Sequence, residues 1–487
     1  MLLTAALTPL VMRFARQFGA VDEGGYRKVY RGPIPLLGGL GIAIPLIALF
    51  LAATTAGCLI FPGDKWVWVR LHLTEHIDPI FTLASNRNRY MVLTIGGAGI
   101  VALGLVDDIK GLGARRKFVG QIIVALFVCL SGYSLTTVTI PLLGTVSFGP
   151  GLGGLVTVLW LVGLINAFNL IDGVDGLATG IGLIGAGALF ALGIIQENQF
   201  VILTTAAIAG GLLAFLFYNF PPAKVFLGDT GSLFIGFILA TVSLMGSQKL
   251  ETTAIMIAPL LALSFPIFET LVSMLRRYLR GVPVFSGDDL HTHHRLLGKG
   301  YSQPQVVLTL YTVAVFLALA AVLPAAFPAD SMWAWLSFAL YAVTLLSIAW
   351  VAGYFRPIAF RTAYDRRRRN KIYQALRRYA EASLKYSGCP IKINLLTQLC
   401  RHELQLHYLE VRKGDGGLLM ASSGTKNEQN SQTAREDVLV RSADLQDLLV
   451  CYEFDRSLND HRRRDVSFCL ASIFDQLQLA KKGEDSE

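Results

Sequence analysis

This 487-residue chain is poor in charge: only 16% of its residues are Asp, Glu, Lys or Arg. A soluble protein of this length carries about 25%, so lipid must solvate much of this one. The six cysteines include no CxxC pair and four lie beyond residue 355. A disulfide framework is therefore not expected, and the cysteines read as free thiols of a reducing compartment. No GxxxxGK[ST] loop is present, which removes support for a P-loop ATPase. A secretory leader is not expected, since the first Arg follows the first apolar run instead of preceding it. The chain shows no internal repeat.

The sparse charges are unevenly placed. Residues 1–355 hold 20 Lys/Arg and 16 Asp/Glu; residues 356–487, little more than a third as long, hold 23 and 18. The boundary near Arg356 divides a membrane part, 1–355, from a water-soluble tail, 356–487. The net charge of +9 does not point to nucleic acid, because the basic residues sit in short loops between apolar runs. Those runs cover roughly 36–60, 90–106, 117–134, 151–171, 177–195, 200–218, 231–248, 252–275, 305–324 and 332–355. Together with an N-terminal segment they predict an all-α polytopic membrane protein of about eleven transmembrane helices. The first run, residues 1–12, covers only ~18 Å of a ~30 Å hydrocarbon core. Either its helix continues past Arg13 and Arg16, or the chain begins downstream of its natural start.

Alternate loops carry 15 and 5 basic residues, which puts the richer set and the tail in the cytoplasm. Five polar clusters fall at helix ends, and helix parity places all five on that same face. Polar residues next to lipid are costly, so such convergence marks a functional site. The clusters are RKVYRGPIPLLGG (Arg27–Gly39), LVDDIKG with Asp107 and Asp108, and NAFNLIDGVDGL with Asn166, Asn169, Asp172 and Asp175. The last two are KVFLGDTGS with Asp229, just before a helix beginning near Ser232, and SGDDLHTHHRLL with Asp288, Asp289, His291, His293, His294 and Arg295. The Asn/Asp spacing of three predicts one polar stripe if the segment is helical. Adjacent carboxylates near lipid call for a cation or a protonation. Hard oxygen donors with no nearby Cys favour Mg²⁺, or Mn²⁺, over zinc, and the His/Arg loop reads as a phosphate clamp. A cation plus basic groups for anionic oxygens is what phosphoryl transfer requires.

These clusters, in this order, resemble those of the polyprenyl-phosphate N-acetylhexosamine-1-phosphate transferases. The branch is that of WecA, with the MraY peptidoglycan enzymes as more distant relatives. The resemblance covers about residues 10–355. The branch assignment rests on HTHHRLL, on the GxPxFSxD approach from Gly281 to Asp288, and on the absence of an acidic residue after the histidines.

The resemblance implies transfer of N-acetylglucosamine-1-phosphate from UDP-GlcNAc to undecaprenyl phosphate, giving the lipid-linked sugar pyrophosphate and UMP. This is the first membrane step of a cell-envelope glycan, in a bacterial inner membrane. It implies catalytic roles for Asp107, Asp108, Asp172 and Asp175, and metal ligation by Asp229, Asn169 and Asp108. Substrate contacts fall to Lys28, Asn166, His291, His293, His294 and Arg295, and Glu269 supports the site. Tyr30 stands where the family often has His, and supplies no positive charge. Direct attack by the lipid phosphate on the β-phosphorus is the preferred mechanism. Asp107 as a base, or an Asp nucleophile in a two-step route, stays open. So do another UDP-N-acetylhexosamine as donor and, in a different class, a cation-coupled transporter.

The tail opens on a basic run, DRRRRNK, suited to anionic headgroups. It continues with an amphipathic helix pattern (Tyr373 to Tyr386), strand-like runs at HYLEV and GGLLMAS, the polar loop SSGTKNEQNSQTARE, and a helical stretch from Asp460 to Lys482. It reads as a small cytosolic α/β domain, faintly similar to part of a GAF-type sensory module. A regulatory ligand, a docking partner and homodimerisation are equally open roles.

Overall fold

In the computed structural model, the structure describes residues 1–22, 33–59, 85–135, 137–140, 144–247, 257–280, 291–327 and 332–351. In the tail it describes 408–413, 418–422, 433–440 and 448–455. Lys28, Tyr30, Asp288, Asp289 and the two expected tail helices lie outside these residues.

The N-terminal unit is a bundle of α1 (Leu2–Gln17), α2 (Gly39–Leu59), α3 (Arg87–Lys110), α4 (Ala114–Leu130), α5 (Pro150–Ile171), α6 (Leu177–Ile195), α7 (Gln199–Asn219) and α8 (Gly228–Ser247). It continues with α9 (Ile257–Ala262), α10 (Ser264–Arg280), the short α11 (Thr292–Gly298), α12 (Gln303–Ala326) and α13 (Met332–Val351). Two small antiparallel ladders accompany them: β1 (Val21–Asp22) with β2 (Ile34–Pro35), and β3 (Thr137–Ile140) with β4 (Gly144–Ser147). Among the described residues, six helices are long and apolar enough to cross a membrane: α3, most of α5, α6, α7, most of α8, and α12. Shorter apolar helices occur at 39–55 and 335–351. The chain is thus largely helical and polytopic.

The helix α8 is the axis of the bundle. Its side chains Leu233, Phe234, Phe237, Ile238, Leu239 and Val242 are all buried, and it packs on α2, α3, α5, α6 and α7. Glycine permits the tightest crossing. A Cβ on Gly104 of α3 would lie 2.5 Å from Thr230 Cα, so only glycine lets α3 approach the start of α8. The residues before α2 lock onto the same place: Gly38 and Gly39 donate to the carbonyls of Phe226 and Leu227 (3.0 and 2.9 Å), and Phe226 donates to Pro35 (2.9 Å).

Several expectations change. The first helix runs on through Arg13 and Arg16 to Gln17. The expected span 252–275 is two helices, because the ring of Pro266 conflicts with the carbonyl of residue 262, where α9 ends. The helix carrying Asp229 begins at Gly228, so Asp229 stands in its first turn instead of ahead of it. The Asn/Asp stripe is broken: α5 ends at Ile171, leaving Asp172 as its cap and Asp175 in the turn before α6.

The described part of the tail is an antiparallel sheet ordered β6 (Leu418–Ser422), β5 (Tyr408–Lys413), β8 (Leu448–Asp455), β7 (Thr433–Val440). The strand-like runs at HYLEV and GGLLMAS fall on β5 and β6. The polar loop is shorter than expected, since β7 starts at Thr433 inside it and pairs in unbroken register with β8.

Candidate active site

Four helix ends meet at one end of the bundle: the C-termini of α3 and α5 and the N-termini of α4 and α8. Asp107 and Asp108 occupy the last turn of α3, where the helix's partial negative charge disfavours carboxylates unless donors or cations answer them. The two adjacent acids receive different answers. Asp108 is committed to the start of α8. Its Oδ1 accepts the Asp229 N–H (2.8 Å), while Oδ2 accepts the N–H (3.0 Å) and hydroxyl (2.6 Å) of Thr230. These are donors that a helix N-terminus leaves unsatisfied. Asp107 accepts the Leu112 N–H through Oδ1 (2.5 Å) and the Lys117 ammonium through Oδ2 (2.7 Å).

Lys117, from the first turns of α4, is the centre of the arrangement. Its ammonium also pairs with Asp229 Oδ2 and so bridges two carboxylates from different helices. Asn169 donates to Asp229 Oδ1 (2.6 Å) and to Ser232 Oγ (3.0 Å). In the sequence Lys117 counts only as a loop charge. Its place ten residues after Asp107, facing back across a short turn, was the available signal.

The site's surroundings sort the remaining candidates. Asn166, one turn before Asn169, donates instead to Gln121 of α4 (2.6 Å) and to the Val162 carbonyl (2.7 Å), so it is not brought to Asp229. Asp172 keeps some accessible surface, yet loss of hydration raises its carboxyl well above the usual range. The nearby charges of Asp229, Asp108 and Asp175 add to the effect. Asp175 is buried, with Oδ2 accepting the Ala223 N–H (3.1 Å). The turn it occupies is clasped further: Asn219 Oδ1 accepts from the Gly176 N–H (3.1 Å) and the Thr179 hydroxyl (2.8 Å), and Tyr311 donates to the Gly176 carbonyl (2.6 Å).

The histidine segment meets that turn. His293 is 2% exposed, its Nε2 has no hydrogen-bond partner, and a Cβ on Gly173 would come within 2.7 Å of that nitrogen. Burial, then the neighbouring His294 and His291, push its imidazole down to about 3, so it is neutral at pH 7. The rings of His293 and His294 lie 4.4 Å apart, those of His291 and His293 5.5 Å. Buried Glu269 of α10 anchors the segment, accepting the Thr292 N–H (3.2 Å) and the Thr292 hydroxyl. Its Oε2 lies 3.9 Å from His291 Nδ1. Arg295 follows on α11.

Among the described residues, no group of three or more His, Cys, Asp or Glu side chains is arranged to hold a metal ion. The donors that do converge are two carboxylates, Asp107 and Asp229, beside the Asn169 amide, whose half-turn would present its Oδ1. That set fits Mg²⁺, which keeps several waters and binds one or two carboxylates together with substrate phosphates.

Comparison with known proteins gives the chain's family. A family model described as glycosyl transferase family 4 matches residues 90–247, which hold Asp107, Asp108, Lys117, Asn169 and Asp229. The chain is 35% identical over 317 residues to the probable undecaprenyl-phosphate N-acetylglucosaminyl 1-phosphate transferase of Bacillus subtilis strain 168. That match spans 65% of this chain and 80% of the relative. It is 33% identical over 340 residues to the decaprenyl-phosphate N-acetylglucosaminephosphotransferase of Mycobacterium tuberculosis H37Rv, covering 63% and 78%. It is 32% identical over 337 residues to the phospho-N-acetylmuramoyl-pentapeptide-transferase of Halalkalibacterium halodurans, covering 66% and 93%. Over most of those relatives' lengths, and through the segment that builds the Asp107–Lys117–Asp229 centre, the chain belongs to glycosyl transferase family 4, the membrane-bound polyprenyl-phosphate sugar-phosphate transferases.

Proposed function

We propose that the chain transfers N-acetylglucosamine-1-phosphate from UDP-GlcNAc to undecaprenyl phosphate, releasing UMP and opening the assembly of a cell-envelope glycan. The observation that carries this reading is the meeting of Asp107, Asp229, Asn169 and Lys117 at one end of an apolar bundle. There a diphosphate from water can meet a phosphate anchored in lipid. The GlcNAc donor is favoured by the relatives named for that sugar, of which the Bacillus protein shares 35% identity against 32% for the muramoyl-pentapeptide enzyme.

In this reaction an oxygen of the lipid phosphate forms a bond to the β-phosphorus of the donor. The bond from that phosphorus to the bridging oxygen breaks, and the electron pair leaves with UMP. A phosphate monoester with a second pKa of ~6 is mostly dianionic at pH 7, so it needs little help from a base. Asp229 and Asp107, with Asn169 beside them, would hold Mg²⁺, and such an ion would supply charge neutralisation on the diphosphate oxygens. Asp108 holds the first turn of α8 so that Asp229 stays aimed. Asp172 and Asp175 shape the turn that receives the nucleotide. His291, His294 and Arg295 meet anionic oxygens, and neutral His293 offers an imidazole nitrogen at Gly173. Lys28 belongs to the same clamp by its place in the cytoplasmic loop set.

About eleven spans, with the site and an α/β tail on the cytoplasmic side of a bacterial inner membrane, complete the proposal. The 15-to-5 loop-charge bias supports that orientation. The test is purified protein given radiolabelled UDP-GlcNAc, undecaprenyl phosphate and Mg²⁺. Lipid-extractable label with equimolar UMP is expected. No lipid label from any of several UDP-N-acetylhexosamines would overturn the proposal.

A further inference from the structure

We propose that Lys117 is a tethered cation that exchanges with the divalent metal: it bridges Asp107 and Asp229 in the metal-free protein, and metal binding at that pair expels its ammonium. The inference rests on the metal reading of the site given above and adds an order of events to it.

The geometry is specific. One ammonium contacts Oδ2 of Asp107 at 2.7 Å and Oδ2 of Asp229, two oxygens from helices more than a hundred residues apart in sequence. The other oxygens of both acids have partners of their own, the Leu112 N–H on Asp107 Oδ1 and the Asn169 amide on Asp229 Oδ1. The Oδ2 atoms of the two carboxylates face the same spot, and Lys117 fills it. A hard divalent ion held by both acids would compete with the ammonium for that spot, where two cations side by side would repel.

All three side chains are largely shielded, with the Lys117 side chain 18% exposed and those of Asp107 and Asp229 10% and 26%. Water therefore screens the competition poorly. Without any cation the two acids would repel across a poorly solvated gap; Lys117 keeps the helices in register until a metal arrives. On exchange one positive charge leaves and two enter. The freed ammonium stays on a four-carbon stem beside the seat, where an anionic ligand would offer it a new partner. Metal loading thus releases a second cation for the diphosphate, and the diphosphate meets both only after the metal is in place. Arg cannot replace this function, because its planar fork would hold both carboxylates more firmly.

The test measures metal binding, not turnover. Full-length protein in detergent is titrated with Mn²⁺ and free ion is read by electron paramagnetic resonance, without donor or lipid. Lys117→Met is expected to tighten Mn²⁺ binding about tenfold or more, a shift of ~1.4 kcal/mol. Lys117→Arg should bind Mn²⁺ no more tightly than wild type, and Asp229→Asn should lose the site. Equal or weaker Mn²⁺ binding by Lys117→Met would overturn the proposal, since it would make Lys117 an organiser of the ligands and not their competitor.

A second measurement uses the wild-type protein, in case the variant does not fold. Acylation of Lys117 by an amine reagent, followed by peptide mass spectrometry, should rise severalfold when Mn²⁺ is added. Unchanged or reduced labelling refutes the exchange. The radiolabel assay on wild type separates the two ideas: transfer without exchange behaviour sinks only this inference, and no transfer sinks the function beneath it.

Discussion

Asp108→Asn tests how the site is held together. In the native protein the Asp108 carboxylate accepts three hydrogen bonds from the first turn of α8: the Asp229 N–H, the Thr230 N–H and the Thr230 hydroxyl. An asparagine that keeps its oxygen toward Asp229 turns its NH₂ toward Thr230. The hydroxyl can rotate to accept from that group, but the backbone N–H cannot. Thr230 is 0% exposed, so that N–H is stranded away from water at a cost of roughly 1–3 kcal/mol. Loss of a negative charge at the start of α8 adds about 0.3–1 kcal/mol. Relief of the carboxylate's own burial works in the opposite direction, leaving a net loss of about 1–2 kcal/mol. For a domain of 150–250 residues each kcal/mol moves the midpoint about 2–4 °C, so this larger bundle should lose about 3 °C. The midpoint is read as the fraction of protein remaining monodisperse on size exclusion after heating in detergent. Asp107→Asn is the comparison: it keeps an oxygen for the Leu112 N–H and loses the charge paired with Lys117, so a smaller shift than that of Asp108→Asn is expected. Thr230→Val, which keeps the shape and removes the hydroxyl donor, should lose about 1 kcal/mol. A wild-type midpoint for Asp108→Asn, or a larger shift for Asp107→Asn, would refute the assignment of Asp108 as the clamp on α8.

Three further outcomes follow from the same geometry. Asp229→Asn should abolish lipid labelling while leaving membrane insertion intact, as measured by fractionation and transfer assay; activity within tenfold of wild type would remove Asp229 from the reaction. His293 has a folded pKa near 3 against ~6.5 unfolded, so its stabilising effect is full above pH 6.5 and is lost as pH falls toward 3. Wild type should therefore lose about 3 kcal/mol from this group between pH 6.5 and 4, and the acid limb of stability should flatten in His293→Gln; parallel limbs contradict it. Gly173→Ala should place a methyl 2.7 Å from His293 Nε2 and lower kcat/KM by roughly tenfold or more, whereas Gly187→Ala, where a Cβ meets nothing within 4 Å, should leave it unchanged.

Much of the bundle was legible because lipid imposes length and apolarity on each helix. The runs at 151–171, 177–195 and 200–218 coincide with α5, α6 and α7 to within a residue. Breaks were harder to read. Pro266 splits one apolar run into α9 and α10, and hydropathy does not register a missing N–H. The site was legible as a set of acids and amides at one end, since those residues are costly beside lipid. Their division of labour was not. Asp107 and Asp108 are equivalent in sequence, and only the approach of α3 to α8 across Gly104 decides which of them reaches the α8 backbone. Lys117 was hidden among Arg115 and Arg116, where topology explains a basic residue without chemistry. Asn166 and Asn169 differ by one helical turn, which is enough to send one to Gln121 and the other to Asp229.

The measurement closest to the central claim is transfer of label from UDP-GlcNAc into undecaprenyl lipid by wild type and by Asp229→Asn in parallel, with Mg²⁺ present and with EDTA. Mg²⁺-dependent lipid label in wild type, with equimolar UMP and none in the variant, is the result this structure predicts. Label that persists in EDTA or in Asp229→Asn would contradict a metal-assisted reaction at the meeting point of α3, α4, α5 and α8.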